Sequence, residues 1–329
     1  MTSSRNRIIV KVLSPIVGLL LATLLITIAA RGVEWDQLRE TLVGIESIPA
    51  VLALISLLSV YVVYSLRWAF IIPSERSLKI TDVFPAVMIG YLVNTVTPLR
   101  LGDIARSTVM SRSHRIPVGR LMGSIFAEHI FDALILAFIV AIFALFIPVP
   151  PAIKTVAVIG SGLGIIAGVF IMTLTPERFG NLEFLSRPLG RIGTKAFGVA
   201  REFNLGFNSL RQGRRVIGGT MLTLLVWLLM FTYAILLADA LSLDLPWYAP
   251  IFALALAGLG SSFPGTPASI GIFQIAIVTG LSVWTDDATS ALAYGIAVHA
   301  VQLVLNVLIG GIIVIRAGYG ITLGKSAHQ

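Results

Sequence analysis

Long apolar segments constrain the fold of this chain more than any other feature. A helix of about 20 mainly apolar residues crosses the roughly 30 Å hydrocarbon core of a bilayer. The 329-residue chain is only 12% charged and has a mean hydropathy of +0.94, so a water-soluble core could not bury its apolar surface. The sequence therefore predicts an all-α integral membrane protein. Its six predicted transmembrane helices are Val10–Ala30, Pro49–Phe70, Gly119–Ile147, Val156–Thr175, Val216–Leu237 and Ala291–Ile315.

Two shorter apolar stretches do not fit the pattern of a full crossing. Asp82–Val96 and Pro250–Phe263 are each followed by a tip that contains proline and glycine, and then by a second short helix. Short hydrophobic segments interrupted by Gly and Pro are typical of helices that enter a membrane and return. We therefore expect two re-entrant helical hairpins, spanning residues 82–112 and 250–283.

The distribution of charge predicts the orientation, because cytoplasmic loops carry the excess of Lys and Arg. With both hairpins re-entrant, Arg112, Arg115 and the basic stretch 178–215 fall on one side, and the acidic pair 286–287 falls on the other. A full crossing by the first arm of the first hairpin would move both arginines outside. We expect a multi-pass protein of the cytoplasmic membrane with both termini in the cytoplasm.

The order of the elements predicts an inverted repeat. A long helix, a hairpin and another long helix fill residues 49–147, and the same series recurs in residues 216–315 with every direction reversed. The two halves share little more than a proline and a glycine at each tip, so this prediction comes from topology. Inverted repeats with opposed hairpins place a binding site near the bilayer centre. The expected architecture is that of a transporter.

The remaining segments complete a single membrane domain over residues 1–329. The first apolar segment is too long for a cleaved signal peptide and is followed by no small-residue cleavage site, so we expect an anchor helix. Residues 1–48 would hold this anchor and an outer loop, 148–215 a connecting helix and a cytoplasmic amphipathic segment, and 316–329 a cytoplasmic tail. The amphipathic segment could be a helix on the membrane surface or a basic loop that only sets orientation.

Ionisable side chains cluster where the chain should lie deepest in the membrane. Each costs about 3 kcal/mol at the centre of a bilayer unless it is paired or faces a cavity. Glu128 lies about 15 Å along its predicted helix, and it shares a face with Asp132. The cluster could be structural ion pairs or a site for a charged group, and the second is favoured because buried pairs seldom add net stability. Its members are Arg100, Asp103, Arg106, Glu128, His129 and Asp132.

A second polar set lies in the other half of the chain. His299, Gln302 and Asn306 fall on one face of the last helix, and Gln274 lies on the returning arm of the second hairpin. A lone His in an apolar helix is usually a packing residue, but a stripe of polar side chains favours a cavity lining. The loop that precedes Gln274 would supply backbone groups near a helix N-terminus, which favours anions.

Other chemistries find no support in the sequence. The chain has no Cys, and its four His include no short-spaced pair typical of a zinc site. No phosphate-binding loop or dinucleotide fingerprint occurs, so we expect no cofactor. The net charge of +8 is explained by cytoplasmic loops, and nucleic acid is not an expected partner.

The charged motif resembles a known family, the transmembrane domain of the lysylphosphatidylglycerol synthase/flippase proteins. The resemblance covers nearly the whole chain. The chain differs from the family at Asp103 and Gln274, where Glu is usual, and at His129, where Arg is usual. The residues that carry the resemblance are Leu66, Arg67, Trp68, Asn94, Pro98, Arg100, Gly102, Asp103, Arg106, Glu128, Asp132, Pro264, Gly265, Gly271 and Gln274.

The resemblance implies a lipid flippase. Family members that make lysylphosphatidylglycerol carry an additional soluble aminoacyl-transferase domain after the membrane part, whereas only the tail 316–329 follows the last predicted helix. We therefore expect transport without the synthase activity. The candidate site comprises Arg67, Asn94, Pro98, Arg100, Asp103, Arg106, Glu128, Asp132, Pro264, Gly265, Gln274, His299 and Gln302.

Two functions from different classes remain open. The first is a transporter for an anionic or zwitterionic lipid, with Arg100 and Arg106 binding phosphate and the carboxylates balancing charge or taking a proton. The second is a membrane-embedded glycosyl- or phosphoryl-transferase acting on a polyprenyl-phosphate lipid, with Glu128 or Asp132 as general base. Short outer loops and the absence of an Asp-x-Asp pair favour the transporter. Proton or ion coupling and homo-oligomerisation are compatible with the sequence.

The predicted orientation can be tested with single cysteines in this cysteine-free chain. Ser113→Cys and Ser209→Cys should resist an impermeant thiol reagent applied from outside intact cells, because the positive-inside bias places both positions in the cytoplasm. Labelling of Ser113→Cys from outside would contradict the re-entrant prediction for the first hairpin.

Overall fold

The computed structural model describes residues 43–147, 190–208, 213–262 and 266–316, together with a few isolated positions outside these ranges. Within them the regular structure is helical. The long helices are α1 (Ser47–Ile71), α4 (Val118–Phe146), α6 (Gly213–Ala240) and α9 (Ala288–Arg316). The shorter ones are α2 (Ile80–Val96), α3 (Leu101–His114), α5 (Gly190–Asn208), α7 (Ala249–Ser261) and α8 (Ile272–Leu281), with a 3-10 turn over Pro267–Ser269.

The four long helices are each long and apolar enough to span a membrane. They confirm, as candidate membrane spans, the helices predicted at four of the six places. The other two predicted spans, residues 10–30 and 156–175, lie outside the described residues. Many apolar side chains point away from the bundle, including Phe138, which is 66% exposed, and Leu228, which is 61% exposed. Such an outer surface suits lipid as the solvent.

The long helices fix the directions of the two hairpins. The N–H of Glu46 donates to the carbonyl of Ala240 at 2.7 Å, and Gly218 lies against Phe70, so α1 and α6 are antiparallel neighbours. The α2–α3 hairpin connects the end of α1 to the start of α4. The α7–α8 hairpin connects the end of α6 to the start of α9. The two hairpins therefore enter the bundle from opposite ends.

A close backbone contact shapes the first hairpin. At Gly102 an added Cβ would overlap the carbonyl oxygen of Gly90 and approach Asn94 Oδ1 to 2.6 Å. The same Asn94 oxygen accepts a hydrogen bond of 2.7 Å from the Gly102 N–H. Glycine at position 102 thus lets α3 begin directly against α2, and Asn94 satisfies one of the free N–H groups in the first turn of α3.

Both hairpin tips contain two consecutive residues in the left-handed backbone region. Leu99 and Arg100 have φ of 64° and 55°, and Ala268 and Ser269 have φ of 52° and 58°. For residues with a Cβ this conformation costs roughly 1–2 kcal/mol each. Strained backbone of this kind is concentrated at functional sites. It occurs here at the corresponding point of each hairpin.

Helix α9 packs directly on the first hairpin. An added Cβ at Gly310 would approach Leu92 Cβ and the Met88 carbonyl oxygen to 2.7 Å. An added Cβ at the neighbouring Gly311 would have no neighbouring atom within 4 Å. The missing side chain at position 310 therefore allows the two helices to touch, and the chain supplies a matched control one residue away.

The basic segment after α4 contains a helix in its described part. This helix, α5, packs beside the first turns of α4, where Phe203 and Phe207 contact the ring of Phe126. Arg120 donates a 2.8 Å hydrogen bond to Glu202 across the same interface. The sequence left open a surface helix or a basic loop, and residues 190–208 are helical. Whether this helix touches lipid stays a prediction.

The packing of α9 predicts opposite effects for the two glycines. Gly310→Ala should lower the free energy of unfolding by about 1–3 kcal/mol, because the methyl group has no space against α2. Gly311→Ala should be neutral or stabilising by up to about 1 kcal/mol, since a helical glycine gains from a side chain where there is room. Thermal unfolding of both variants in the same detergent measures the difference. Equal effects would contradict the described contact.

Candidate functional site

A buried carboxylate joins two arginines from different helices. Glu128 on α4 has no solvent exposure, and its Oε1 accepts a 3.3 Å hydrogen bond from Arg67 Nε on α1. Its Oε2 accepts a 3.1 Å hydrogen bond from Arg106 Nη1 on α3. Both oxygens are thus engaged with guanidinium groups. One side chain connects the first long helix, the first hairpin and α4.

Arg67 also holds the second carboxylate of α4. Its Nη1 and Nη2 donate to the two oxygens of Asp132 at 2.6 and 3.0 Å, a two-pronged geometry that the planar guanidinium favours. From α6, Thr223 accepts a 3.2 Å hydrogen bond from Arg67, and Trp227 donates a 3.0 Å hydrogen bond to Asp132. The arginine itself is fully buried, whereas 19% of the Asp132 side chain is exposed.

Arg106 extends the network to the tip of the first hairpin. It contacts Asp103 Oδ1 at 3.2 Å, and Asp103 Oδ2 lies 2.9 Å from His129 Nε2 on α4. The side chain of Arg106 is only 3% exposed, while those of Asp103 and His129 are 15% and 29% exposed. The network therefore begins at a buried centre and reaches solvent at its edges.

Aromatic rings enclose the two arginines. The guanidinium of Arg67 lies 4.5 Å from the ring centroid of Tyr64, and that of Arg106 lies 4.7 Å from the ring centroid of Trp68. Cation–π contacts of this kind gain about 2 kcal/mol when they are shielded from water. The Trp68 N–H donates to Ser124 at 3.1 Å, which fixes the indole against α4.

The network lies nearer to one end of α1 than counting along α4 indicates. Glu128 is about 15 Å from the start of α4, as predicted, but Arg67 is only about 6 Å from the end of α1. The N-terminal part of α4 therefore extends beyond the C-terminal end of α1, on the side where the first hairpin enters.

A cavity of about 280 Å3 adjoins the network, and both hairpin tips line it. Leu99 and Arg100 contribute from the first tip, and Ala268 and Ser269 from the second. Among the described residues the guanidinium of Arg100 makes no ion pair. The predicted site residues in the lining are Asn94, Arg100, Asp103, Arg106, Asp132, His299 and Gln302.

The polar set of the second half fixes the second hairpin. Gln274 Oε1 accepts a 2.8 Å hydrogen bond from the Gly271 N–H, and its Nε2 lies 3.0 Å from His299 Nδ1. Phe273 stacks on the His299 ring with centroids 4.4 Å apart. Gln274 therefore ties the start of α8 to α9. On the same helix, Asn306 accepts a 2.9 Å hydrogen bond from Tyr61.

The structure separates residues that the sequence grouped together. Arg100 and Arg106 were both expected to bind phosphate. Both line the cavity, but only Arg106 is paired with carboxylates and enclosed by aromatic rings, and phosphate binding by either arginine stays a prediction. Pro98 lies in the first tip outside the cavity lining. The predicted site residues Pro264 and Gly265 lie outside the described residues.

Tyr64, Thr223 and Trp227 were not predicted, because uncharged side chains in apolar helices do not indicate a site in the sequence.

No metal site is apparent in the described part of the chain. There, no group of three or more His, Cys, Asp or Glu side chains is placed to hold an ion. The carboxylates instead face arginines, which suits a site organised by fixed charges.

The geometry predicts that Arg67 is required for stability. Arg67→Met should lower the free energy of unfolding by about 3–5 kcal/mol, because it leaves Glu128 and Asp132 buried with one cation fewer. The free energy of unfolding of Arg67→Lys should lie between those of Arg67→Met and the wild type, since an ammonium cannot make the two-pronged contact. Thermal unfolding in detergent tests both variants. The exposed Arg76 is the control, and Arg76→Met should change the free energy of unfolding by no more than about 0.5 kcal/mol.

Comparison with known proteins places the chain among membrane proteins. It is 21% identical over 261 residues to "Glycosyltransferase AglD" of Haloferax volcanii, which covers 69% of this chain and 42% of that protein. It is 26% identical over 132 residues to "UPF0104 membrane protein MJ1595" of Methanocaldococcus jannaschii, which covers 39% of each. The chain thus spans about two fifths of the length of these relatives.

No solved structure matches the chain. The family model described as "Lysylphosphatidylglycerol synthase TM region" matches residues 16–310, which is most of the sequence. This extent confirms the resemblance that the charged motif indicated. The chain belongs to the lysylphosphatidylglycerol synthase transmembrane-region family.

Proposed function

We propose that this protein transports a lipid with an anionic or zwitterionic headgroup across the cytoplasmic membrane. One observation carries the proposal: Arg100 lines a cavity where the tips of two opposed hairpins meet, and it makes no ion pair among the described residues. An arginine held at such a point suits a phosphate, which it can bind through two parallel hydrogen bonds.

The surroundings of Arg100 also favour an anion. Helix α3 begins at Leu101, directly after Arg100, and α8 begins at Ile272 beside the second tip. A helix N-terminus carries partial positive charge. The N-terminus of α3, next to Arg100, would favour a phosphate headgroup over a neutral one.

The aliphatic residues of the cavity lining suit the apolar part of a lipid. They include Leu136, Val226, Met230, Leu254 and Leu303. A cavity lined by both charged and aliphatic side chains matches an amphiphile. A small hydrophilic solute would leave the aliphatic side chains without a partner.

The proposal includes an arrangement in the membrane. The two hairpins would be re-entrant, each returning to the face from which it enters, within an inverted repeat of residues 49–147 and 216–315. Six transmembrane helices with both termini in the cytoplasm complete it. The antiparallel pair α1 and α6 and the opposed hairpins support this arrangement, since together they would let the tips be reached alternately from the two faces.

A membrane-embedded transferase is the second candidate, because one relative bears the name glycosyltransferase. The matched part is 42% of that protein, and the contacts of Glu128 disfavour it as a general base. Both of its oxygens bind guanidinium groups, and its side chain is not exposed. Asp132 retains some exposure, so a base at that position would be the form of this alternative to test.

The transport proposal predicts a specific loss at Arg100. Purified protein in phosphatidylcholine vesicles should move fluorescently labelled phosphatidylglycerol between leaflets, measured by chemical quenching of the outer leaflet. Arg100→Ala should abolish this exchange, and Arg100→Lys should retain only part of it, because a lysine binds phosphate as a point charge. The exposed Arg112 on the same helix is the control, and Arg112→Ala should transport normally.

Two outcomes would contradict the proposal. Wild-type rates in Arg100→Ala at equal reconstitution would remove this residue from the mechanism. Conversion of the vesicle lipid into a new chemical species, detected by mass spectrometry, would favour the transferase.

A further inference from the structure

The charged network contains more negative than positive groups. Three carboxylates, Asp103, Glu128 and Asp132, face two arginines, Arg67 and Arg106, which leaves an excess of one negative charge. In the cavity, Arg100 offsets this excess. With these groups charged and histidine neutral, the site as a whole is neutral before any ligand enters. An anionic headgroup would then bring an uncompensated charge into a poorly solvated space.

His129 is placed to supply the missing charge. Its Nε2 lies 2.9 Å from Asp103 Oδ2, and its side chain is 29% exposed and lines the cavity. No described residue hydrogen-bonds its other ring nitrogen, Nδ1. A neutral imidazole can thus donate from Nε2 to Asp103 while Nδ1 accepts a proton. Histidine is the side chain that ordinarily titrates between about pH 5 and 8.

The charged and titratable groups around His129 come from several elements. Asp103 lies against it from α3, where Arg106 contacts the same carboxylate. Arg100 from the tip, Tyr64 from α1 and Tyr91 from α2 line the same cavity. Glu128 and Asp132 lie on its own helix. From α9, His299 lines the same cavity.

The other candidate proton acceptors are already engaged. Glu128 uses both oxygens on arginines, and Asp132 is held at both oxygens by Arg67. The Nδ1 of His299 faces the amide of Gln274, whose oxygen is taken by the Gly271 N–H. His129 alone among these groups combines an unoccupied basic nitrogen with access to the cavity.

We propose that His129 is the proton-binding residue of this site and that an anionic headgroup binds together with one proton on its imidazole. This inference rests on the proposed function and identifies its coupling ion. Protonation of His129 balances the charge of the headgroup, and the headgroup in turn favours protonation. The two ligands therefore bind with positive and reciprocal coupling. Transport driven by this pairing would carry one proton with each monoanionic lipid.

The test measures protons directly. Short-chain phosphatidylglycerol is a suitable probe because its phosphodiester keeps its charge over the range in which histidine titrates. Calorimetric binding to the detergent-solubilised protein, repeated in buffers of different ionisation enthalpy, counts the protons taken up. In the wild type, uptake should rise towards one proton per lipid at a pH where free histidine has lost its proton. The affinity should fall there by up to about tenfold per pH unit.

Two substitutions at His129 assign the proton. His129→Arg supplies a permanent charge, so binding should stay tight with no proton uptake and no dependence on pH. His129→Gln should bind weakly at every pH and take up no proton. His114 is the matched control, since its ring also approaches a carboxylate, Asp82 at 4.0 Å, but lies outside the cavity lining. His114→Gln should keep the wild-type proton count.

A complementary variant covers the case in which neither His129 variant folds. Replacing His114 and His328 by Gln leaves His129 and His299 of the four histidines in the chain, and the Nδ1 of His299 is occupied by Gln274. This variant should still take up a proton with the lipid. Tight binding by the wild type without proton uptake, or an unchanged pH dependence in His129→Arg, would overturn the inference. Absence of lipid binding at any pH would instead contradict the proposed function itself.

Discussion

The contact of Glu128 with two arginines holds the first half of this protein together. Arg67 belongs to α1, Arg106 to the returning arm of the first hairpin, and Glu128 to α4. Apolar packing between these helices could slide or rotate at small cost, whereas a carboxylate shared by two guanidinium groups accepts one geometry. Because all three side chains are removed from water, loss of any partner leaves a buried charge. The network therefore fixes the position from which the hairpin tip meets the cavity.

The network distinguishes two arginines within one motif by their environment. Arg106 and Arg100 are six residues apart, and the sequence alone assigns them the same function. In the structure both line the cavity, but Arg106 is paired with carboxylates and enclosed by aromatic rings, whereas Arg100 makes no ion pair among the described residues. The difference depends on Glu128 and Trp68, which belong to other helices. Sequence spacing within one helix cannot distinguish them.

Much of the fold follows from hydropathy and from proline and glycine. The four described long helices and both hairpins occur where the apolar segments and their interruptions predict them. The ion pairs of the site were harder to predict from the sequence. The spacing of Glu128 and Asp132 predicts a shared face, and both do contact Arg67. Arg67 itself was indicated only by the family resemblance, because a cation one turn from the end of an apolar helix also fits an interfacial anchor. Similarly, the helical period predicts that His129 and Glu128 point in different directions. It cannot show that His129 contacts Asp103 on another helix.

The two hairpin tips carry side chains at positions where the backbone favours glycine. Leu99, Arg100, Ala268 and Ser269 all occupy left-handed backbone, where glycine would fit with less strain. Glycine there would relieve the backbone strain but would raise the conformational entropy of the unfolded chain. The chain carries side chains at all four positions, so each tip is stiffer than a glycine tip would be. Stiff tips hold their backbone in one arrangement against the cavity that they line.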